Sequence, residues 1–407
     1  MDVAAPVVLV GGGHAAAAFV NSARRAGYEG RLVLVGEEPV PPYHRPPLSK
    51  KYLAEGLPVD QILIRTAAWY AEQQVEMRLG QRVASVDRGA RRIALADGST
   101  LDYGRLVLLT GARPRRLAAD MGGDLRHVLA MRSLADADAL APHLVPGRRL
   151  LVVGGGYIGL EAAAVAASRG LQVTLLESAP RILQRVAAPA TSDWFRELHR
   201  SHGVTLREGV MLRRLYADGD RVGGAELQDG SRIDADVVLV GIGVQPNVEL
   251  AQACGLAVDN GIVVDAHCRS SDPSILAAGD CCSFDYRGQR IRLESVQNAN
   301  DQAAAAAHTV AGQDKPYVPL PWFWSDQYDC KLQIAGLNLG YDDVVLRPGK
   351  TERSRSLWYY CGEQLLAVDA INDAAAFVTA KKLLERGAGV PKAAAADPAS
   401  EFRTWLS

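Results

Sequence analysis

Two stretches of the chain decide the fold, and the first reads Val7-Val8-Leu9-Val10-Gly11-Gly12-Gly13-His14-Ala15-Ala16. The second reads Leu150-Leu151-Val152-Val153-Gly154-Gly155-Gly156-Tyr157-Ile158-Gly159. In each stretch a short apolar run without alternation, typical of a strand buried on both faces, enters a glycine turn and then an alanine-rich segment. A second apolar run follows each segment, at Leu32–Val35 and at Val173–Glu177. The pattern predicts two βαβ units.

The spacing of small residues in both units fits a dinucleotide site, because one permits the tight turn, one lets backbone approach a pyrophosphate and one allows close helix packing. In that order the residues are Gly11, Gly13 and Ala16 in the first unit and Gly154, Gly156 and Gly159 in the second. An acidic residue follows each turn at a strand end, Glu37 and Glu177 respectively. A single glycine turn can serve packing alone, but two complete fingerprints indicate two nucleotide sites.

The carboxylate of Glu177 also predicts which nicotinamide cofactor is used. It can accept hydrogen bonds from ribose hydroxyls, whereas a 2′-phosphate at ~4 Å would be repelled by on the order of 4 kcal/mol at an effective dielectric near 20. We therefore expect a preference for NADH over NADPH.

Composition narrows the class of protein. With 407 residues we expect two or three domains, and a net charge of −1 gives no global field for nucleic acid or membrane. No apolar run reaches the ~18 residues of a membrane span and no signal peptide is recognised, so the expected location is the cytoplasm.

The cysteines show neither a Cys-x-x-Cys pair nor zinc spacing, which predicts a reducing compartment and no metal site. They are Cys254, Cys268, Cys281, Cys282, Cys330 and Cys361. Cys281 and Cys282 are interpreted as small buried residues instead of a redox pair, because neighbouring cysteines rarely form a low-strain disulfide.

The remaining patterns predict the domain order. Apolar runs at 105–109 and 236–240 exit into glycines, where we expect the chain to pass between nucleotide domains, with Pro246 and Asn247 in a turn. A further strand is expected at 275–280, ending in the acidic residue Asp280. After Gly312, short alternating strands and a helix at 374–385 predict a small α+β domain with a loosely ordered tail at 393–398. The predicted segments are an FAD-binding domain at 1–115 and 245–315, an NAD-binding domain at 116–244 and a C-terminal domain at 316–407. The fold class is α/β, and we expect a monomer.

The most specific motif is Pro42-Tyr43-His44-Arg45-Pro46-Pro47-Leu48-Ser49-Lys50, supported by the blocks at 276–280, 294–299 and 321–327. With these motifs the chain resembles, over nearly its whole length, the ferredoxin reductase flavoproteins of bacterial oxygenase systems, which belong to the glutathione-reductase-like superfamily. The resemblance implies that the first fingerprint binds FAD noncovalently and the second binds NADH.

The resemblance also implies site residues. Those toward FAD are Gly11, Gly13, His14, Ala15, Ala16, Glu37, Arg45, Pro47, Lys50, Val83, Gly111, Ala112, Arg132, Gly279, Asp280, Val296 and Trp324. Those toward NAD are Gly154, Gly156, Tyr157, Ile158, Gly159, Glu161, Glu177 and Gly243. Lys50, Glu161 and Trp324 are the candidate catalytic residues.

Each candidate catalytic residue has a structural alternative. Lys50 alone resembles a surface lysine, but the prolines before it stiffen the backbone, and an ammonium near a flavin raises its electron affinity. Trp324 lies in an aromatic strand that would bury alternate side chains in any case. Glu161, one turn into a helix, can act through the helix dipole alone, and Arg132 can be a solvated arginine.

The cysteine positions also bear on the electron acceptor. Relatives that reduce disulfides or peroxide carry a cysteine beside the flavin, yet no cysteine precedes Cys254 here. The resemblance then implies single-electron transfer to an acidic [2Fe–2S] ferredoxin that serves a monooxygenase or an aromatic-ring dioxygenase. Alternatives are a rubredoxin reductase and an NADH-sensing flavoprotein similar to the apoptosis-inducing factor.

A near-neutral protein must attract an acidic ferredoxin through local charge. The candidate residues are Arg65, Arg290, Arg292, Lys350, Arg353 and Arg355.

Overall fold

Parallel and antiparallel sheets organise the chain in a computed structural model that describes residues 5–406. The residues group into two compact units. The first unit holds residues up to His44, Pro58–Arg113 and Gln245–Pro321, and the second holds Arg45–Leu57, Pro114–Val244 and the chain from Trp322 onward.

Elements are numbered here in chain order. The α-helices are α1 (His14–Arg25), α2 (Lys51–Glu55), α3 (Ala67–Glu72), α4 (Leu134–Leu140), α5 (Tyr157–Ser168), α6 (Pro189–Ser201), α7 (Glu249–Ala253), α8 (Val296–Val310), α9 (Ala374–Glu385) and α10 (Lys392–Ala396). The strands are β1 (Val7–Val10), β2 (Leu32–Gly36), β3 (Val75–Leu79), β4 (Val83–Asp87), β5 (Arg92–Leu95), β6 (Thr100–Asp102), β7 (Arg105–Leu108), β8 (Ala112–Pro114), β9 (Val128–Leu129), β10 (Arg149–Val153), β11 (Gln172–Glu177), β12 (Thr205–Glu208), β13 (Leu212–Asp218), β14 (Arg221–Leu227), β15 (Arg232–Asp234), β16 (Val237–Val240), β17 (Val244–Pro246), β18 (Ile262–Val263), β19 (Ile275–Ala277), β20 (Cys282–Tyr286), β21 (Gln289–Ile291), β22 (Trp322–Gln327), β23 (Cys330–Gly336), β24 (Asp343–Pro348), β25 (Arg355–Cys361) and β26 (Gln364–Ile371).

The first unit is built on a parallel sheet in the order β19-β7-β1-β2-β3. Strand β1 pairs with β2 on one side and β7 on the other, so Val8 lies opposite both Val33 and Leu106. Strands β1 and β2 are buried throughout, as their unbroken apolar runs predicted. Helix α1 packs against α8, and alanines on both helices are buried in the contact.

The second unit repeats this plan and adds an antiparallel sheet. Its parallel sheet has the order β12-β11-β10-β16-β9, with Leu151 opposite Thr174 and Val238. The C-terminal sheet has the order β22-β23-β26-β25-β24, all antiparallel, and α9 packs on β23 and β26. The predicted α/β class with two dinucleotide-binding folds and a small α+β part is confirmed.

The strand order places the glycine turns where ligands bind in this kind of sheet. Each order reverses direction at its first strand, β1 or β10, and open parallel sheets bind ligands at the carboxyl ends of strands beside such a reversal. Gly11 follows β1 directly and Gly154 follows β10 directly.

Three local predictions were wrong. Residues 393–396 are not a loose tail, since they form most of α10, and Arg347 binds the carbonyl groups that follow. Pro246 ends strand β17 instead of standing in a turn. The strand expected at 275–280 stops at Ala277, because Gly279 takes a positive φ of +86° that a strand cannot continue through.

Candidate functional site

The first glycine turn fits an anionic ligand. Gly11 has φ +124°, and a Cβ there would lie 2.1 Å from the carbonyl oxygen of Leu109, so only glycine fits. Gly13 precedes α1 with nothing within 4 Å of a Cβ position, and no side chain caps the helix. An uncapped helix start beside bare backbone presents N–H groups to a phosphate, as the prediction for Gly11, Gly13 and Ala16 requires.

Asp280 lies close to this turn in the first unit. A Cβ on Gly279 would lie 3.6 Å from that of Ala15, so the loop holding Asp280 passes the first turn of α1. The Gln302 side chain of α8 fixes this loop by accepting a hydrogen bond from the Gly279 N–H at 2.8 Å. Residues predicted from two distant segments therefore meet.

The other predicted FAD residues of the first unit occupy varied positions. Glu37 is exposed one residue beyond β2, as a ribose partner must be. His14 is buried, and its ring lies 5.5 Å from that of His44. Gly111 has φ +64°, Ala112 and Val83 are buried, and Val296 is the first residue of α8.

The second glycine turn repeats the first in the second unit. Gly154 has φ +110°, and a Cβ there would lie 2.4 Å from the carbonyl oxygen of Gly241. On Gly159 a Cβ would lie 2.2 Å from the carbonyl oxygen of Gly154, so the helix packs on the turn as the fingerprint demands. Gly156 precedes α5 without a side-chain cap, and Gly243 has φ +97°. The side chain of Ile158 is 38% exposed beside this turn, a large apolar surface at a helix start.

The carboxylate of Glu177 accepts backbone hydrogen bonds from the second glycine turn and from the loop after β11. Its Oε2 accepts a hydrogen bond from the Gly155 N–H at 2.8 Å, and its Oε1 accepts one from the Ala179 N–H at 2.7 Å. The carboxylate is therefore held at the end of β11, next to the glycine loop.

Lys50 is held in a cluster of charges within the second unit. Its Nζ lies 3.2 Å from Oε1 of Glu161 and 3.4 Å from Oδ2 of Asp326, and its side chain is 16% exposed. Asp326 in turn binds Nζ of Lys331 at 2.9 Å. Because cations and carboxylates alternate along this row, the Lys50 ammonium is fixed in place, unlike a surface lysine.

Glu161 is nearly buried beside that ammonium. Its carboxylate accepts hydrogen bonds from Ser49 Oγ at 2.8 Å and from Ser325 Oγ at 2.7 Å. Burial raises the pKa of Glu161, while Lys50 and the two hydroxyl groups act to lower it. Because these effects oppose one another, the loss of any one of these neighbours should change the pKa of Glu161.

The aromatic strand β22 lies beside the cluster. The alternate burial expected from core packing alone is not found here, because Trp322, Phe323 and Trp324 are all half-buried. The Lys50 Nζ lies 5.8 Å from the Trp324 ring centre, and the ring of Tyr157 packs 4.8 Å from that of Phe323. A side chain left half-open beside a fixed cation is better suited to a ligand than to core packing.

Arg45 and Arg132 also meet, since Nη1 of Arg45 donates to the Arg132 carbonyl oxygen at 2.8 Å. Pro47 lies in a 3-10 turn, Pro46–Ser49, that leads into Lys50. The predicted FAD residues thus fall into two groups. Arg45, Pro47, Lys50, Arg132 and Trp324 belong to the second unit, and the others belong to the first.

Sequence reasoning gave no role to the polar neighbours of Glu161. Ser49, Ser325 and Asp326 lie inside motifs that were recognised, so their polar side chains at otherwise apolar or aromatic positions were the available signal. Nothing local marked His199, which is fully buried and whose Nε2 lies 2.8 Å from Oε1 of Gln327.

The basic candidates for partner binding differ in availability. Arg292 is a wrong choice, because its side chain is only 9% exposed and pairs with Glu294 at 2.6 Å. Arg353 is exposed but bound to Asp329, and Arg355 stacks on Trp194 at 4.1 Å. Arg65, Arg290 and Lys350 are exposed.

Within residues 5–406, no helix is long and apolar enough to cross a membrane, and no three His, Cys, Asp or Glu side chains are grouped to hold a metal ion. Cys281 and Cys282 are fully buried, as predicted.

Comparisons with known proteins agree with this geometry. Residues 5–303 match the family described as pyridine nucleotide-disulphide oxidoreductase, and residues 322–406 match the family described as reductase C-terminal. The chain is similar to putidaredoxin reductase from Pseudomonas putida, with 41% identity over 93% of this chain and 91% of that protein. It is also similar to the ferredoxin–NAD(+) reductase component of the anthranilate 1,2-dioxygenase system from Burkholderia cepacia, with 41% identity over 98% and 99%. A chain of the covalent putidaredoxin reductase–putidaredoxin complex superimposes with a TM-score of 0.95 and 39% identity, covering 99% of this chain and 98% of that one.

Proposed function

The chain belongs to the pyridine nucleotide-disulphide oxidoreductase family, and from that premise we propose that it passes electrons from NADH through FAD to a [2Fe–2S] ferredoxin. The protein is an oxidoreductase that uses FAD and a pyridine nucleotide, and a ferredoxin is its acceptor. The ferredoxin in turn supplies a monooxygenase or an aromatic-ring dioxygenase.

The fixed cation of the second unit is the observation that carries the proposal. The chemistry that FAD supplies when bound is acceptance of hydride from NADH and release of electrons one at a time. Lys50 provides a positive charge for the negative charge that this acceptance brings, and Glu161 and Asp326 hold the ammonium in one place. Phe323 and Trp324 are half-buried neighbours on β22, and a nicotinamide is expected to stack against Trp324.

The cysteine positions support an external acceptor. The family name refers to disulfide chemistry, yet the first cysteine of this chain is Cys254, and Cys268, Cys281 and Cys282 are buried. The first βαβ unit and the segment directly after it therefore contain no cysteine that could take electrons from a flavin. We therefore infer that electrons leave the protein without passing through a protein disulfide.

We assign the two nucleotides to the two glycine turns. FAD is placed on the first, with Glu37 toward its ribose and Asp280 toward the ribityl chain, and with Val83, Gly111, Ala112 and Val296 in the same unit. NADH is placed on the second, with Glu177 toward the ribose and Gly243 beside the turn. Two uncapped helix starts, at α1 and α5, support both assignments because each offers free N–H groups to a pyrophosphate.

The ferredoxin is proposed to be acidic and to bind a monomer of this protein. The best candidates for ferredoxin binding are the exposed residues Arg65, Arg290 and Lys350. Among the residues that the structure describes, no carboxylate oxygen lies within 3.5 Å of their charged nitrogens, and the Arg290 Nε lies 3.7 Å from Asp259. Arg353 is partly neutralised by Asp329. Complementary charge of this kind acts chiefly on the rate of association.

Three measurements on the purified protein test the proposal. It should be yellow with bound FAD, it should bleach when NADH is added without oxygen, and a [2Fe–2S] ferredoxin should then be reduced much faster than a rubredoxin. A colourless protein that takes up no added FAD contradicts the assignment of both units. Faster reduction of rubredoxin contradicts only the acceptor.

A further inference from the structure

A buried line of hydrogen bonds runs from Glu161 to helix α6. The Ser325 hydroxyl donates to Oε1 of Glu161 at 2.7 Å, and the Gln327 amide nitrogen donates to Ser325 Oγ at 3.1 Å. The Gln327 amide oxygen lies 2.8 Å from Nε2 of His199 on α6. Ser325, Gln327 and His199 are each fully buried, so water does not compete for these bonds.

The direction of every proton in this line follows from the chemistry of its members. Burial lowers the pKa of His199 to about 4, so the imidazole is neutral at pH 7. Since the Gln327 oxygen can only accept, the single proton of that ring is on Nε2. The Gln327 amide group donates to Ser325, whose hydroxyl proton is then left to point at Glu161.

If the hydrogen bonds in this line ran in the opposite direction, Glu161 would lose the hydrogen bond that Ser325 donates. If the Gln327 amide were turned around, the Ser325 hydroxyl would donate to the amide oxygen instead of the carboxylate. Glu161 would then keep only Ser49 and Lys50 against a large burial penalty. With its proton on Nε2, His199 opposes this reversal, because the ring N–H would then face the amide N–H₂ group of Gln327, and a reversed amide would require the proton of His199 to move to Nδ1.

We propose that His199, Gln327 and Ser325 are positioning residues that keep Glu161 ionised and directed at Lys50, and that through this pair they set the charge beside the nicotinamide and flavin. The proposal rests on the proposed function for what the Lys50–Glu161 pair does. It adds a remote determinant, since His199 is on a different element from every other member of the charge cluster.

Other groups face the two ends of the line. Around Glu161 they are Lys50 and Ser49 from the 3-10 turn, Ser325 and Asp326 from β22, and Tyr157 from its own helix. Around His199 they are Gln327, the Tyr328 hydroxyl at 3.5 Å from Nδ1, and the exposed His202, whose ring stacks on Tyr328. No carboxylate is among the contacts given for His199, so its neutral form is favoured.

The variants separate positioning from simple packing. Ser325→Ala and His199→Leu break the line, whereas His199→Gln retains an N–H donor near the Nε2 position. Thr191→Val is the matched control, because Thr191 is equally buried on α6 and bonds Asp369 of the C-terminal sheet at 2.7 Å without touching the line. It loosens the same helix but leaves Glu161 untouched.

The functional test is the pH profile of flavin reduction by NADH, followed in an anaerobic stopped-flow instrument. In Ser325→Ala and His199→Leu, the carboxylate takes up a proton at higher pH, so the acid limb of the profile should move up by about one pH unit and rates measured on that limb should fall by up to about tenfold. His199→Gln should stay within about twofold of wild type, and Thr191→Val should keep the wild-type profile. Equal profiles in all four variants, or an equal shift in Thr191→Val, would overturn the proposal.

A second measurement does not depend on activity. Nitrogen-15 NMR of histidine-labelled protein should show His199 as the neutral Nε2–H tautomer down to about pH 5. A Nδ1–H tautomer, or protonation of His199 near pH 6.5, would overturn the proposal even if flavin and ferredoxin are not used. Loss of NADH-driven reduction in the wild type would instead contradict the proposed function and leave the NMR result to decide this inference.

Discussion

At the scale of single residues, Lys50 is the charge on which the site depends. Lys50→Met removes the cation that pairs with Glu161 and should slow flavin reduction by NADH about tenfold, a barrier increase of about 1.4 kcal/mol. Lys50→Arg keeps the charge and should lose less. Asp326→Asn serves as the control, because Lys50 then still pairs with Glu161 at 3.2 Å, and its rate should change only a few-fold. Stopped-flow rates that are equal in Lys50→Met and wild type would remove Lys50 from the chemistry.

Glu177 is the residue expected to choose between nicotinamide cofactors. Wild type should favour NADH strongly, and Glu177→Ser or Glu177→Arg should narrow the ratio of kcat/KM for NADH to that for NADPH, because the charge that repels a 2′-phosphate is gone. Glu177→Gln is the control for the two backbone hydrogen bonds, since an amide oxygen can replace one of them. Equal use of both cofactors by the wild type would show that this carboxylate has been misassigned.

His199 gives the protein a stability that depends on pH. Its pKa is lowered to about 4 in the folded state from an ordinary 6.5, so the unfolded chain binds the proton first. This contribution to stability is full above pH 6.5 and is lost as the pH falls toward 4.

The measurement is the free energy of unfolding of wild type minus that of His199→Leu across this range. The difference should shrink by roughly 2 kcal/mol between pH 8 and pH 5. Asp369, whose pKa is raised to about 6 by burial, has the opposite trend but is present in both proteins and cancels. A difference that is constant with pH would mean that His199 is protonated alike in both states.

At the scale of elements, the C-terminal segment shows how one side chain holds a short helix. Arg347 is 5% exposed and donates to the carbonyl oxygens of Ala395, Pro398 and Ser400 at 3.3, 3.2 and 2.7 Å. Its guanidinium also lies over the rings of Phe402 and Trp405, at 4.7 and 5.2 Å from the ring centres. Arg347→Met leaves these carbonyl groups without their charged donor, so it should free residues 392–406 for proteolysis and lower the free energy of unfolding by about 3 kcal/mol.

The control for that experiment is Arg347→Lys. An ammonium keeps the charge but lacks the planar fork that reaches several carbonyl groups at once, so cleavage should be intermediate. The bound flavin should keep its spectrum in both variants. If the segment resists protease in Arg347→Met as it does in wild type, aromatic packing around Trp358 holds it without the arginine.

The two βαβ units were predictable because their signals are local. Buried strands, glycine turns and alanine-rich helices can each be recognised from a few consecutive residues. At Gly11 and Gly154 the structure has no space for a side chain. The contacts that shape the charge cluster are not local. Ser325 and Glu161 are 164 positions apart in sequence, and His199 and Gln327 are 128 apart, so only the fold brings them together.

The order of the tail and the exposure of the aromatic strand could not be read from local sequence. A run of alanines carries no amphipathic pattern, and the arginine that fixes it lies about 50 residues earlier. The alternation expected at Trp322–Trp324 presumes one buried face, whereas these side chains are half-open.

At the scale of the whole molecule, net charge close to zero makes partner binding a matter of local fields. The Debye length falls from ~10 Å at 0.1 M salt to ~3 Å at 1 M, so ferredoxin reduction should slow steeply over that range. A small neutral acceptor is the control and should be little affected. Ferredoxin rates that stay flat with salt would show that apolar contacts, not Arg65, Arg290 and Lys350, bring the partners together.

The central claim is the path of electrons from one two-electron donor to a one-electron acceptor outside the protein. One measurement tests it most directly: the protein is mixed without oxygen with a limiting amount of NADH and excess [2Fe–2S] ferredoxin, and reduced ferredoxin is counted from its absorbance. The account predicts two ferredoxins reduced for each NADH consumed, with the flavin oxidised again at the end. The account would be contradicted if NADH were consumed while no ferredoxin was reduced and the electrons were recovered as new protein thiols.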